Sequence, residues 1–544
     1  MPQEIINGVG KAGIRVSTGP VVSYDMDAQA FLTAAGITAT TEVNAVNELV
    51  KDLKSANIWT KMKAVYPMVG GTATTHKFNL KDPRDLDAAY RLAFFGGWTH
   101  TSTGALPNGT DAYANTFLST STIGLNSGHL SFYSRTNNTN LGIDIGSYLG
   151  SPTTNSYLRL YVSGAIRNYA YCGSSTANVS GVVSTLGFYS VSRTAASVMK
   201  GYRNGSIEIN STVNSNATSS LTFYLGANNN GGSPGGRSNR ENAFASIGDG
   251  LTDLESNLFY QIVEKYQYAL GRNVNANQTF YFNRNYSNET NAFIFNGAIS
   301  DATQQSAINT LVNDLKAAGI WTKMKAVYPM VGGTATAHKF NLVNPIDSTS
   351  AYALTFNGGW THTSNGATPN GTTGYANTNL VPNTADLGFN FNMNISFYSR
   401  TNRPSLVGPI SDMGCLDVQG TYKSALIQFM NTYDLQTDGT NLILSTDTNT
   451  LGMIMASRTA NNSLKAYRNG GLVGNNTATI SNGLPAINYY LGAFLYRNAS
   501  GGFANYYGTK ECAFASIGNG LTDAEATTFY NAVQAFQTTL GRQV

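Results

Sequence analysis

The sequence predicts an all-β dominated protein: two tandem jelly-roll sandwiches, each flanked by short helices, behind an extended N-terminal arm. Three observations carry this. Residues 58–74, IWTKMKAVYPMVGGTAT, recur letter for letter at 320–336. The same offset brings HKFNL at His76 onto His338, and GGWTH at 96–100 onto 358–362, so the chain is a tandem duplication. Alternating apolar runs broken by Gly, Pro and Asn turns fill the middle of each copy, as many-stranded sandwiches require. Matching helical patterns open and close each copy.

Taken in order, residues 1–25 have no counterpart in the second copy. This arm (GVGKAGIRVSTGPVVSYD) is too poor in apolar side chains to form a core, so Ile5, Ile6, Val9, Ile14, Val16, Val21 and Val22 are expected to anchor it to a partner. The first unit spans 26–274, a linker 275–287, and the second unit 288–544. In the first unit Val46, Leu49, Val50 and Leu53 fall at i, i+3, i+4 and i+7, repeated by Ile308, Leu311, Val312 and Leu315. Each set forms one apolar helix stripe, with Thr41 and Thr303 as expected starts. Pro67 and the Gly70-Gly71 pair then forbid a continued helix.

Strand signals follow. Asn204-Gly205 and Asn469-Gly470, and the Asn-Gly pairs of Pro107-Asn108-Gly109 and Pro369-Asn370-Gly371, read as hairpin turns, because both central residues need positive φ. LSFYSRTN at Leu130 and ISFYSRTN at Ile395 correspond at an offset grown by three, as do SRTAASVMKGYRNG at Ser192 and SRTANNSLKAYRNG at Ser457. Each unit closes with AFASIG and a helix opened by a Thr-x-x-Glu capping box, Thr252/Glu255 and Thr522/Glu525. Gly271 and Gly541 end these helices.

Charged residues make up 12% of the chain, against about 25% in an ordinary domain. Asn, Ser, Thr, Gly and Tyr replace them, which suits a β-rich surface exposed outside cells. A net charge of +4 with no basic run excludes a nucleic-acid interface. The first residues lack a signal-peptide pattern and no run approaches a membrane span, so neither Sec export nor a membrane is expected. Cys172, Cys415 and Cys512 are not repeated between the copies, so they are read as free thiols made in a reducing cytoplasm.

At AFASIG-(D/N)-G-LTD-x-E and SRT-x6-(G/A)-YRNG, the strand-rich parts resemble the concanavalin A-like, LamG-type jelly-roll superfamily. The block IWTKMKAVYPMVGGTAT-x-HKFNL resembles modules of structural proteins in tailed bacteriophages, including crAss-like phages, and NGVGKAGIRVSTGP at 7–20 resembles leaders of such proteins. The resemblance covers both units. It implies a virion structural protein, a head fibre or capsid decoration, assembled in the host cytoplasm, displayed on the virion surface and binding host or mucosal glycans. A tail fibre or receptor-binding protein is the alternative, though no coiled-coil or β-helical shaft is visible. The arm would bind other virion proteins, and the chain would form a homo-oligomer, a trimer in preference to a dimer.

No enzyme is expected. Jelly-roll glucanases carry Glu-x-Asp-x-x-Glu on one strand, which alternation puts on one face as acid and nucleophile; neither copy has it. At the strand offset, Asp412 and Asp417 align with Ser147 and Pro152, so they do not read as a shared site. A glycan hydrolase with an unrecognised site is the reading from another class. Paired histidines (His76/His338, His100/His362) and unpaired His129 form no metal motif, and no cofactor is expected. Calcium, held by some LamG-like domains, stays open, although no acidic loop of that type is kept in both copies. The paired tryptophans Trp59/Trp321 and Trp98/Trp360 read as core. The copies differ most before the last strand. Copy one has ANNNGGSPGGRSNR (227–240), expected to be flexible. Copy two has AFLYRNASGGFANYYGTKE (493–511), where Tyr496, Arg497, Asn505, Tyr506 and Tyr507 offer stacking faces and donors to a sugar or protein surface.

Overall fold

A computed structural model describes residues 24–275 and 281–544, less 384–388, 390–391, 404–408, 418–421, 430–431, 438–439, 445–448, 480–483 and 499–500. The expected anchoring residues Ile5 to Val22 lie outside the described residues.

Each unit is a three-layer stack of helices, an eight-stranded sheet and a nine-stranded sheet, and the two units share one strand order. In unit one the eight-stranded sheet runs Ser206–Ser211, Val198–Arg203, Gly187–Ala195, Gly128–Ser134, Asn242–Gly248, Gly104–Pro107, Trp98–Thr101, with Met62–Tyr66 also on Asn242–Gly248. The nine-stranded sheet runs Ala177–Ser180, Ile166–Gly173, Thr153–Val162, Ile145–Gly150, Thr222–Leu225, Tyr113–Ser119, Ala93–Phe95; a hairpin, Asn228–Asn230 with Ser233–Gly235, joins Ile145–Gly150. The eight-stranded sheet is buried on both faces. Along Gly128–Ser134, Leu130 and Phe132 pack into the sandwich while Tyr133 packs under the helices. That is why these strands read as apolar runs rather than clean alternations.

The helix stripes pack on this central sheet. Val46, Leu49, Val50 and Leu53 share one core with Phe244, Phe259 and Val263. The capping boxes at Thr252 and Thr522 form with both reciprocal bonds, and Asn204-Gly205 and Asn469-Gly470 adopt positive φ at both residues. Three local readings need correction. The first-stripe helices begin at Thr40 and Ala302, and the second is capped by Asp301, whose side chain accepts from Gln304 N–H. Asn108 does not turn a hairpin; its Oδ1 accepts from the backbone N–H of Thr110, Asp111 and Ala112, carrying the chain from one sheet to the other. A further helix precedes each stripe, Met26–Ala35 and Asn288–Gly297.

The second of these extra helices joins the units. Its Phe295 meets Tyr260 of unit one edge-on at 5.8 Å, and Asn257 Nδ2 donates to Asn296 Oδ1 at 3.2 Å. Of the expected linker, 276–280 lie outside the described residues. Phe282 is buried within the helix-layer core of unit one, and Arg284 pairs with Glu48 and Asp52 at 2.6 and 2.9 Å. The core of unit one therefore extends past residue 274.

One buried cation ties each unit together. Arg272, one residue beyond its helix-ending glycine, donates to Gln267 Oε1 (2.6 Å) and to the carbonyls of Met68 (2.6 Å), Pro67 (2.7 Å) and Ala243 (2.9 Å). Arg542 repeats this on Gln537, Met330, Pro329 and Ala513. Both are fully buried. Arg272→Met should therefore cost at least about 3 kcal/mol in unit one, since buried carbonyls lose their donors at about 1–3 kcal/mol each. Thermal and urea unfolding measure this, and a loss under about 1 kcal/mol would refute it.

Glu264 distinguishes the units. Its Oε2 accepts from Tyr133 O–H at 2.9 Å while Oε1 has no partner, and burial raises its pKa to about 7. Gln534 fills the equivalent place, accepting from Tyr398 O–H at 2.8 Å. The folded pKa exceeds the unfolded one, so this contribution to stability is complete below about pH 4.5 and is lost as pH rises through 7. Glu264→Gln should stabilise the protein on the order of 2–3 kcal/mol at pH 8 and little at pH 4.5; a gain independent of pH would contradict this origin.

Candidate functional site

Strand alternation puts a tyrosine row on the outer face of each nine-stranded sheet. In Tyr113–Ser119, Ala114 and Leu118 enter the sandwich core, which turns Tyr113 and Asn115 outward. In Thr222–Leu225, Phe223 and Leu225 are core, and Tyr224 turns to the outer side beside Asn115, where its neighbours leave it 8% exposed. The rings of Tyr113 and Tyr224 lie 4.7 Å apart, and Phe95, 46% exposed, stacks on Tyr113 at 4.8 Å. Unit two repeats the arrangement. Tyr375 and Tyr490 stack at 4.5 Å with Asn377 paired opposite Tyr490, and Asn357 replaces Phe95. Burial first, then neighbouring Tyr375, pushes the Tyr490 hydroxyl up to about 12, so that phenol is uncharged at neutral pH.

Trp98 fixes the row from beneath. Its Nε1 donates to the carbonyls of Phe95 (3.1 Å) and Tyr113 (3.3 Å), and a Cβ on Gly226 would lie 2.9 Å from its ring. Trp360 holds Asn357 O and Gly492 in the same way. Trp59 and Trp321 are buried at the helix layer. The histidines pair within each unit. His76 Nδ1 and His100 Nδ1 are 2.9 Å apart, as are those of His338 and His362. Burial pulls His76 and His338 down to about 3, so both are neutral, and in each pair one Nδ1 carries the proton that the other accepts. Among the described residues no three metal-capable side chains converge.

The loop residues singled out in the sequence fall on a hairpin, Phe494–Asn498 with Gly501–Asn505, that runs beside Pro409–Asp417. Tyr496 leans on Phe503 at 5.1 Å, and Tyr506, 37% exposed, stacks over Phe494 at 5.8 Å. Asn505 Oδ1 accepts from Tyr506 N–H. Arg497 is not a free donor: it forms a two-pronged ion pair with Asp417. Tyr507 lies within electrostatic reach of Tyr490, beside the stacked pair. The hairpin therefore borders the row without supplying its centre. Tyr113, Tyr224, Tyr375 and Tyr490 were missed in the sequence, although YAN at 113 and 375 and YLG at 224 and 490 place tyrosine out of phase with core residues in both copies. The copy-one loop, expected to be flexible, is the hairpin Asn228–Gly235.

Asp412 does not match Ser147. Gly226 N–H donates to Asp144 O and Gly492 N–H to Asp412 O, so Asp144 is the equivalent. Asp144 is fully buried, accepting from Arg240 Nη1 (3.1 and 3.2 Å), Ser238 Oγ (2.6 Å) and Leu160 N–H (3.0 Å). Asp412 pairs with Lys510 at 2.9 Å, and its Oδ1 has no partner. Gly508 stands where Ser238 stands, and lysine cannot supply a second prong.

No family model matches the chain, and no curated protein is similar to it. Among solved structures it is similar to one of botulinum neurotoxin type C, whose cell entry depends on interaction with two ganglioside molecules. There it is 13% identical at a TM-score of 0.30, over 40% of this chain and 53% of that one. It is also similar to domain 4 of the arabinanase AbnA from Geobacillus stearothermophilus in complex with arabinotriose (14%, 0.24, 38% and 98%) and to Trypanosoma rangeli sialidase in complex with the inhibitor DANA (13%, 0.24, 33% and 28%). The chain spans about half the length of the neurotoxin chain. These likenesses carry no functional argument.

Lys510→Arg should restore the fork to Asp412 and stabilise unit two by about 1–2 kcal/mol. Denaturation of the variant checks this, and a destabilised protein would refute it.

Proposed function

We propose that this chain is a structural protein of a tailed bacteriophage virion, a head fibre or capsid decoration, whose jelly-roll units bind glycans on host or mucosal surfaces. The Tyr–Asn–Tyr triplet kept facing outward in both units carries the glycan reading. Core packing explains identity between copies on inward positions, but it does not require aromatic side chains stacked on the outer face of a sheet. Stacked, uncharged rings beside an amide suit the apolar face and hydroxyls of a sugar ring. The resemblance of the repeated block and of the leader at 7–20 to phage modules supports the virion assignment. The arm then binds other virion proteins, the chain assembles as a homo-oligomer, preferably a trimer, and its work is adhesion without catalysis.

Full-length protein on a glycan array should bind oligosaccharides. The variant Tyr113→Ala/Tyr224→Ala/Tyr375→Ala/Tyr490→Ala should lose at least tenfold in affinity, with the two central rings of each platform removed. Unchanged binding by a folded variant would overturn the glycan reading.

A further inference from the structure

The two platforms differ in chemistry at their borders, and the differences are concerted. At the level of Tyr224 in unit one stand Gly146, Tyr157 and Asn228, the last from the hairpin. Gly146 is closed over by its neighbour: a Cβ there would lie 2.3 Å from Tyr157 Cβ. Asn228 is buried and its Oδ1 has no hydrogen-bond partner. Arg237 follows the hairpin and is part-exposed; its Nε is enclosed without a partner. Among the described residues no carboxylate lies within ion-pair distance of it. Asp111 is within electrostatic reach, but its Oδ1 already accepts from Gly97 N–H and Asn108 Nδ2.

Backbone bonds fix the equivalents. Ser238 N–H donates to Gly226 O as Gly508 N–H does to Gly492 O, and Ile143 N–H to Gly236 O as Ser411 N–H does to Tyr506 O. Hence Arg237 corresponds to Tyr507 and Gly236 to Tyr506, while Asn228 corresponds to Phe494 through the paired glycines Gly146 and Gly414. Unit two has aromatic rings at the three places where unit one has an amide, a glycine and a guanidinium. Polar atoms enclosed without partners are uncommon because they have lost water and gained nothing. Two of them at one border, an acceptor and a cationic donor, mark a place for a ligand group bearing hydroxyls and negative charge.

We infer that the unit one platform binds a saccharide carrying an anionic substituent, and the unit two platform a neutral one. This rests on the reading of the outer sheets as glycan-binding. Arg237 takes the anion, as a guanidinium does for a carboxylate or sulfate. Asn228 accepts from a hydroxyl, and Phe95 and Tyr113, backed by Tyr224, offer the face on which the ring stacks. In unit two Tyr507 and Tyr506 extend the stacking surface instead.

The test is calorimetry on the full chain with tetragalacturonate, its fully methyl-esterified form and a sulfated galactan tetrasaccharide, at low and physiological salt. Wild type should bind the acid about tenfold or more tighter than the ester, a margin that shrinks with salt. Arg237→Gln should bring the ratio close to one, and Arg237→Lys should keep part of it. Thermal melts establish that the variants fold. Equal affinity of the sulfated ligand supports an anion site in general; its rejection supports one for carboxylate. A preference unchanged in Arg237→Gln, or no preference in wild type, overturns the inference. If Tyr113→Ala/Tyr224→Ala still abolishes binding in that case, the platform reading survives. If that variant also binds normally, or if wild type binds none of the three, both readings fall.

Discussion

A guanidinium buried where three segments meet is the constraint on which each unit depends. The loop after Met62–Tyr66 leaves the sheet at Pro67, and Met68 takes φ +51, with Met330 at +47 in the second unit. That bend points the Pro67 and Met68 carbonyls inward, away from any strand. Arg272 meets both and adds Ala243 O from the closing strand. Lysine, with three donors on one atom, could not span them. Burial first, then neighbouring Arg400, pulls the pKa of Arg542 down to about 9. Farther along, Gly70 and Gly332 donate N–H to Glu42 and Gln304 of the stripe helices. A Cβ on Gly70 would lie 2.5 Å from Ile37 Cδ1. The letter-for-letter identity of 58–74 and 320–336 thus follows from backbone geometry read from several sides.

Much of this fold was legible in the sequence. The stripe helices, capping boxes and Asn-Gly hairpins are local devices whose residues act within four positions of one another. The leading helices Met26–Ala35 and Asn288–Gly297 were not, because ten residues with several apolar side chains show little face. The site was legible in part. Tyr507 borders the stacked pair in the structure, yet the central tyrosines looked like ordinary strand residues. A fixed offset aligned Asp412 with Ser147, because an insertion inside a loop shifts the register without leaving a mark in the flanking motifs. Only the shared bond from Gly226 or Gly492 identifies Asp144 as the counterpart.

The divergence of the closing helices follows their neighbours. In unit one Asp253–Ala269 lies under the second unit's leading helix, and Leu258 and Ile262 are buried. The same places in unit two hold Thr528 and Ala532, and the exposed face there is Thr527, Thr528 and Asn531. The face is apolar where a neighbouring helix covers it and polar where none of the described residues does. The leading helices agree: Phe295, which meets Tyr260, stands where unit one has exposed Thr33. Selection of side chains at this junction is therefore separate from the pressure that preserves the central sheet.

The layer order explains why the outer sheets could change most. Helices of one unit meet the other unit, the eight-stranded sheet is buried on both faces, and among the described residues neither covers the outer face of the nine-stranded sheet. A substitution on that face alters neither the buried arginine nor the junction between units. The hairpin after Thr222–Leu225 and its equivalent after Tyr490–Leu491 therefore exchange Asn for Phe and Arg for Tyr without disturbing the strands beneath. What they keep, the stacked tyrosines with tryptophan holding their backbone, is the part a ligand ring would require in either unit. What they vary is the chemistry at its rim, where specificity between ligands of like shape is set.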